Sequence, residues 1–104
     1  MRIRIPIEHG GVYVIHNTVN GNRYVGCTSN YKLRWRRHVD ALNSGTHTNP
    51  HLQRDWYLYG PEAFEFKILQ IVDSDDLTVL KQYERAWMDY LDAFGAFGYN
   101  IYRD

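Results

Sequence analysis

A chain of 104 residues fits one domain, and 44% hydrophobic with 15% aromatic residues is too apolar a composition for disorder. No apolar run approaches the ~20 residues that cross a bilayer, and the N-terminus lacks a signal-peptide core, so the expectation is a soluble cytoplasmic protein with no membrane partner. Net charge is zero but segregated: residues 1–54 carry eight Lys/Arg and two Asp/Glu (+6), residues 55–104 four and ten (−6). A nucleic-acid partner would be met by the first half, unless the two halves simply neutralise each other across the fold. A lone cysteine, Cys27, excludes an internal disulfide and a Cys-pair metal site.

In chain order, Arg2-Ile3-Arg4-Ile5 alternates as a short edge strand or arm would, limited by Pro6. Val12–Ile15 and Arg23–Val25 are β-rich runs around Asn20-Gly21-Asn22, which supplies the positive φ of a tight turn; the spacing predicts a two-stranded antiparallel hairpin. If Tyr13 pairs near Tyr24, two phenol hydroxyls converge on one spot, and the glycines beside them, Gly11 and Gly26, permit a close approach to the backbone. Thr28-Ser29-Asn30 offers N-caps for a helix from about Tyr31 to Leu42, closed by Gly45. Tyr31, Trp35, Val39 and Leu42 form its expected buried stripe, while Arg34 and His38, four apart, aim together from a neighbouring face. Lys32, Arg36 and Arg37 make that helix basic.

Asn49-Pro50 opens a short helix to about Tyr59, ended by Gly60. Ala63–Val72 places Phe64, Phe66 and Ile68 on one face and is predicted as the third strand. Asp73–Asp76 caps a helix from about Leu77 to Phe94, broken by Gly95 and Gly98 before Tyr99-Asn100-Ile101-Tyr102. Leu77, Leu80, Trp87, Met88 and Leu91 define its apolar face, and Glu84 falls on that stripe. A carboxylate directed inward needs a cation, a metal or several donors, so Glu84 is either half of an ion pair or a metal ligand. His47 and His51 have zinc-helix spacing, but Pro50 interrupts them. Trp56, Tyr57 and Tyr59 read as packing before base stacking. The fold class is therefore α/β (α+β): a small three-stranded antiparallel sheet flanked by about three helices, one domain over 1–104.

Gly11-Val12-Tyr13 followed by Tyr24-Val25-Gly26 resembles the signature of the GIY-YIG nucleases, valine standing for isoleucine in both triplets. The resemblance continues through Leu33-Arg34-Trp35-Arg36-Arg37-His38, through Tyr83-Glu84-Arg85 and through Gly98-Tyr99-Asn100-Ile101. His47 in the loop, Leu52-Gln53-Arg54 and Tyr59-Gly60 look like the intron-homing branch. What the resemblance implies is phosphodiester hydrolysis in DNA by a homing-type catalytic domain using one divalent ion, Mg²⁺ or Mn²⁺. The implied catalytic set is Tyr13, Tyr24, Arg34, His38, Glu84 and Asn100, with Glu84 the metal ligand and Arg36, Arg37 and His47 binding substrate.

A lone carboxylate suffices for Mg²⁺, which keeps its waters and shares the phosphate. Arg34 would stabilise developing charge on the phosphate. Tyr13 is the implied general base with Tyr24 orienting water or phosphate; a phenol of ordinary pKa ~10 needs positive charge nearby, from Arg34, the metal and His38. His38 is alternatively a relay for the Tyr13 proton, Asn100 fixes a neighbour or the backbone, and Cys27 has no role. Family members add a DNA-binding region, so targeting is expected from such a domain, a partner or a homo-oligomer. The alternative is a noncatalytic nucleic-acid-binding module on the same fold.

Overall fold

Strands β1 (Gly11–Asn17) and β2 (Arg23–Thr28) form the expected hairpin in the computed structural model, which describes residues 9–94 and 98–100. The expected strand at Arg2–Ile5, Gly95 and the pair Ile101-Tyr102 lie outside the described residues. Asparagine side chains fold the turn. Asn17 Oδ1 accepts the Val19 N–H at 2.9 Å, Asn20 Oδ1 accepts the Asn22 N–H at 2.9 Å, and Gly21 takes φ +81°. That turn sets a register in which Tyr13 faces Gly26 and Ile15 faces Tyr24. The two tyrosines are thus diagonal neighbours on one face, near each other across the hairpin as expected.

Strand β3 (Phe64–Ile71) pairs with the other side of β1, giving the order β2-β1-β3, all antiparallel. Alternation along β1 sends Tyr13 and Ile15 to one face and Val12 and Val14 to the other. On the first face lie α1 (Tyr31–Ser44) and α2 (Pro50–Tyr59), contributing Tyr31, Leu42, Leu52 and Trp56 to a core with Phe64, Phe66 and Tyr99. On the second lies α3 (Leu77–Tyr90), whose Met88 joins Val12, Val14, Val25 and Ala93.

The helix ends follow the capping residues. Asn30 accepts the Leu33 N–H and Gly45 closes α1 in the left-handed region; Asn49 caps α2, and Asp76 caps α3 through the Thr78 N–H. Two expectations need correction. The α1 stripe buries Tyr31, His38 and Leu42, leaving Trp35 and Val39 half-buried, because His38 is bonded within the core. Helix α3 stops at Tyr90, short of Phe94, where Asp92 at φ +51° turns the chain back. Beyond it the Asn100 N–H donates to Ala93 O at 3.1 Å and the Tyr99 N–H to Arg23 O at 2.8 Å, laying this segment along β2. Of the expected α3 face, Leu80 and Met88 are buried while Leu77 is 60% exposed; Glu84 is buried among them. None of the described helices is long and apolar enough to cross a membrane.

Candidate active site

Gly11 and Gly26 make room for the protein itself. A Cβ on Gly26 would stand 2.4 Å from Cζ and Oη of Tyr13, so the Tyr13 ring lies directly over that residue. Gly11, at φ +144°, would drive a Cβ to 2.0 Å from Gln70 O, at the bulge where β1 shifts register against β3. Tyr13 is 1% exposed and stacks on Phe66 with ring centroids 4.9 Å apart. Its hydroxyl and that of Tyr24 are thereby set at the end of the first face nearest β2.

A cavity of about 360 Å³ opens there, lined by Tyr13, Tyr24, Arg34, Lys81, Glu84 and Asn100 among others. It wraps around the outer edge of β2: the tyrosines and Arg34 reach it from the face carrying α1, Glu84 from the face carrying α3. One site therefore holds groups from both sides of the sheet. Asn100 seals the rim. Its Oδ1 accepts the Val25 N–H at 2.8 Å and its Nδ2 donates to Val25 O at 2.9 Å, replacing a strand partner that β2 lacks. Behind it, Tyr99 Oη donates to Asp55 Oδ2 at 2.7 Å and accepts from Asn17 Nδ2 at 3.1 Å, while Asn49 Nδ2 donates to Tyr99 O at 2.6 Å. Asp55 also accepts from Asn20 and Arg54, so this buried carboxylate is fully bonded and held below its ordinary pKa despite its burial.

Behind Tyr13 runs a row of rings. Tyr13 Oη lies 2.6 Å from His38 Nε2, His38 Nδ1 lies 2.8 Å from His47 Nε2, and the Asn49 N–H donates to His47 Nδ1 at 3.0 Å. Arg34 Nε donates to Tyr13 Oη at 3.3 Å. Burial, then the charges of Arg34 and His47, push His38 down to about 3. His47 is lowered for the first two of these reasons. His38 is consequently neutral and gives the site no positive charge, which corrects one expected role. Tyr13 and Tyr24 are both raised, chiefly by burial, against the opposing pull of Arg34. Both phenols are protonated in the protein alone.

The remaining residues singled out by sequence are dispersed. Arg36 and Arg37 are exposed on α1 and do not line the cavity, and His38 and His47 stand behind its wall. His51 is exposed, and among the described residues no three His, Cys, Asp or Glu side chains gather as a metal site, which removes the zinc reading. Trp56 is core, whereas Tyr57 and Tyr59 are exposed. Among the described residues, the ion pairs Arg54–Asp55 and Lys67–Glu65 do not include Glu84. Two wall residues were not anticipated. Lys81 precedes Glu84 by three on α3 and so shares its side of the helix, a spacing visible in the sequence. Cys27 lines the same wall as Glu84, and burial together with that carboxylate pushes its thiol up to about 12.

A three-stranded antiparallel sheet with helices on both faces, carrying paired tyrosines, an arginine and a glutamate around one edge, defines a GIY-YIG catalytic domain; the family profile of that description matches residues 9–100, and the chain belongs to this family. It is 34% identical over 91 residues to Intron-associated endonuclease 1 of Enterobacteria phage T4, an alignment covering 88% of this chain and 36% of the phage protein. It is also similar to two solved structures. One is the catalytic domain of intron endonuclease I-TevI in mutant form, with 31% identity, TM-score 0.85, and 92% and 96% of the two chains covered. The other is the catalytic domain of homing endonuclease I-TevI, with 32% identity, TM-score 0.82, and 89% and 98% covered. The chain thus spans little more than a third of the length of the phage protein.

Proposed function

We propose that residues 1–104 form a single catalytic unit, a divalent-metal-dependent DNA endonuclease that hydrolyses phosphodiester bonds. The observation that carries this reading is the convergence of Tyr13, Tyr24, Arg34 and Glu84 on one cavity from opposite faces of the sheet. The endonuclease names of the relatives support it.

The donor set suits a hard, hydrated cation. Glu84 is 8% exposed, lines the cavity and has no second carboxylate or histidine cluster beside it among the described residues. That is the protein share of a Mg²⁺ or Mn²⁺ site completed by water and phosphate, and it does not suit Zn²⁺. When bound, the ion would supply positive charge that polarises the phosphate and favours the Tyr13 phenolate.

Arg34 is fixed against Tyr13 and lines the cavity, so its guanidinium is available to a phosphate oxygen, where it stabilises charge developing at phosphorus. Tyr13, once ionised, accepts a proton from water as that water attacks phosphorus and the bond to the 3′ oxygen breaks, the 3′ oxygen taking its proton from solvent; Tyr24 orients the water or the phosphate. Lys81, on the opposite wall from Arg34, holds the flanking strand by a second phosphate contact. Arg36, Arg37 and the exposed side of α1 extend the positive surface along the duplex. Asn100 positions Tyr24 and Gly26 through its bonds to Val25, and His38 and His47 position Tyr13.

Conversion of supercoiled plasmid to nicked or linear forms, in Mg²⁺ or Mn²⁺ and in chelator, tests the reading. Metal-dependent cleavage is expected. Binding to DNA without cleavage in any divalent ion would instead identify a noncatalytic nucleic-acid-binding module.

A further inference from the structure

We infer that the row Tyr13, His38, His47 is polarised in one direction only, with the Asn49 N–H as its lock: both imidazoles carry their proton on Nε2, and His38 serves Tyr13 as a hydrogen-bond donor, never as the acceptor of its proton. The role in catalysis rests on the endonuclease reading; the tautomers do not.

The assignment proceeds from one fixed end. A backbone N–H cannot reverse, and the Asn49 N–H points into His47 Nδ1 at 3.0 Å, so that nitrogen is bare. Neutral His47 then holds its proton on Nε2, facing His38 Nδ1 at 2.8 Å, so His38 Nδ1 is bare in turn. The His38 proton is therefore on Nε2, aimed at Tyr13 Oη 2.6 Å away. An added proton on either ring sets N–H against N–H at one of these joints. At His47 Nδ1 it meets Asn49, and at His38 Nδ1 it meets the His47 Nε2–H.

The lock is itself held. Asn49 is 7% exposed, its Oδ1 accepts the N–H groups of His51 and Leu52 as the cap of α2, and its Nδ2 donates to Tyr99 O. His47 is tied by its own backbone N–H to Gln53 Oε1 at 3.1 Å, and its ring lies nearly parallel to that of His38, at an interplanar angle of 18° with centroids 5.0 Å apart. The groups facing His38 are Tyr13, the edge-on Tyr24 ring, His47 and the Arg34 cation, and none is a carboxylate that would favour imidazolium.

Two consequences concern Tyr13. Its oxygen accepts from both His38 Nε2–H and Arg34 Nε–H, so its own proton is turned away from both, towards the cavity. A phenolate at Tyr13 would meet two donors already in position. After a proton passes from water to that phenolate it remains on Tyr13 and leaves through the cavity, because His38 Nε2 has no lone pair to receive it. His38 is thus a positioning residue acting through Tyr13.

Long-range ¹H–¹⁵N correlation spectra of the imidazoles, recorded on labelled protein free of DNA and metal, read the tautomers directly. Neutral rings with bare Nδ1 and protonated Nε2 are expected for both His38 and His47; a proton on Nδ1 of either ring overturns the inference. Plasmid nicking by His38→Gln and His38→Ala then reads the role. The amide nitrogen of Gln reproduces a donor at the Nε2 position but accepts no proton there. His38→Gln should stay within about tenfold of the parent while His38→Ala loses about 10²-fold or more, the scale of removing one preorganised donor. Equal loss in the two variants overturns the donor role. A parent protein that cuts no DNA would refute the endonuclease reading and leave the spectral test intact.

Discussion

The two faces of the sheet are made by alternate residues of the same strand, yet they are organised by different forces. On the face of α1 and α2, buried hydroxyls, imidazoles and amides lie among aromatic rings, and directional hydrogen bonds fix each ring: Tyr13 to His38, Tyr31 to Gln70 O, Tyr99 to Asp55. On the face of α3, Val12, Val14, Val25 and Met88 fill volume without direction, and Glu84 is the buried charged side chain among them. The difference teaches where precision is stored. Aliphatic contacts tolerate small shifts, whereas a bonded row of rings transmits them. The cavity draws its oriented groups from the first face and its carboxylate from the second.

Glu84→Ala tests the comparison hardest. Removing the carboxylate should abolish metal-dependent nicking, while the thermal midpoint by circular dichroism stays equal to or above that of the parent, because a desolvated carboxylate gives way to an apolar side chain. Cleavage at the parental rate would remove Glu84 from the metal site.

Gly26→Ala strikes the other face. The new methyl must displace the Tyr13 ring, 2.4 Å from it, and with the ring its contact to His38. A loss of nicking of about 10²-fold, typical of ångström-scale misplacement, is expected together with ~1–3 kcal/mol of destabilisation in denaturant titrations. An unchanged rate would mean that the position of Tyr13 matters less than this geometry implies.

Lys81→Gln should act more gently, since it changes one phosphate contact beside an intact cavity. The slope of log affinity against log salt should fall by about 0.9, the value for one released counterion. An unaltered slope would place Lys81 off the DNA.

A last test concerns the dependence of stability on pH. His38 stands at about 3 when folded against 6.5 ordinarily, so below 6.5 the unfolded chain gains a proton that the folded one refuses. Its contribution is complete above 6.5 and is lost progressively as pH falls towards 3. Thermal melts of His38→Gln should therefore decline less steeply over that window than those of the parent.

Much of this architecture is written locally. Asn30, Asn49 and Asp76 cap helices where their side chains allow, and Phe64, Phe66 and Ile68 mark the third strand by alternation. Glu84 betrayed itself as a charge on an apolar stripe. Features set by distant partners were less legible. The hairpin register depends on how Asn17 and Asn20 fold the turn, and it decides that Tyr13 lies over Gly26. His38 is buried because Tyr13 and His47 satisfy its nitrogens, a fact no helical periodicity contains. Helix α3 ends at Tyr90 because the returning segment docks against Ala93, and that depends on Asn100 finding Val25. Lys81 has meaning only once the cavity exists.

The clasp between Asn100 and Val25 joins residues 75 positions apart, so the hairpin has no finished border until the chain has been synthesised past that asparagine. A ribosome-bound chain holding both tyrosine triplets and the arginine still lacks the closing piece of its working edge, and forming that contact incurs the entropy of closing a long loop. That edge is therefore completed only once Asn100 is available to close it.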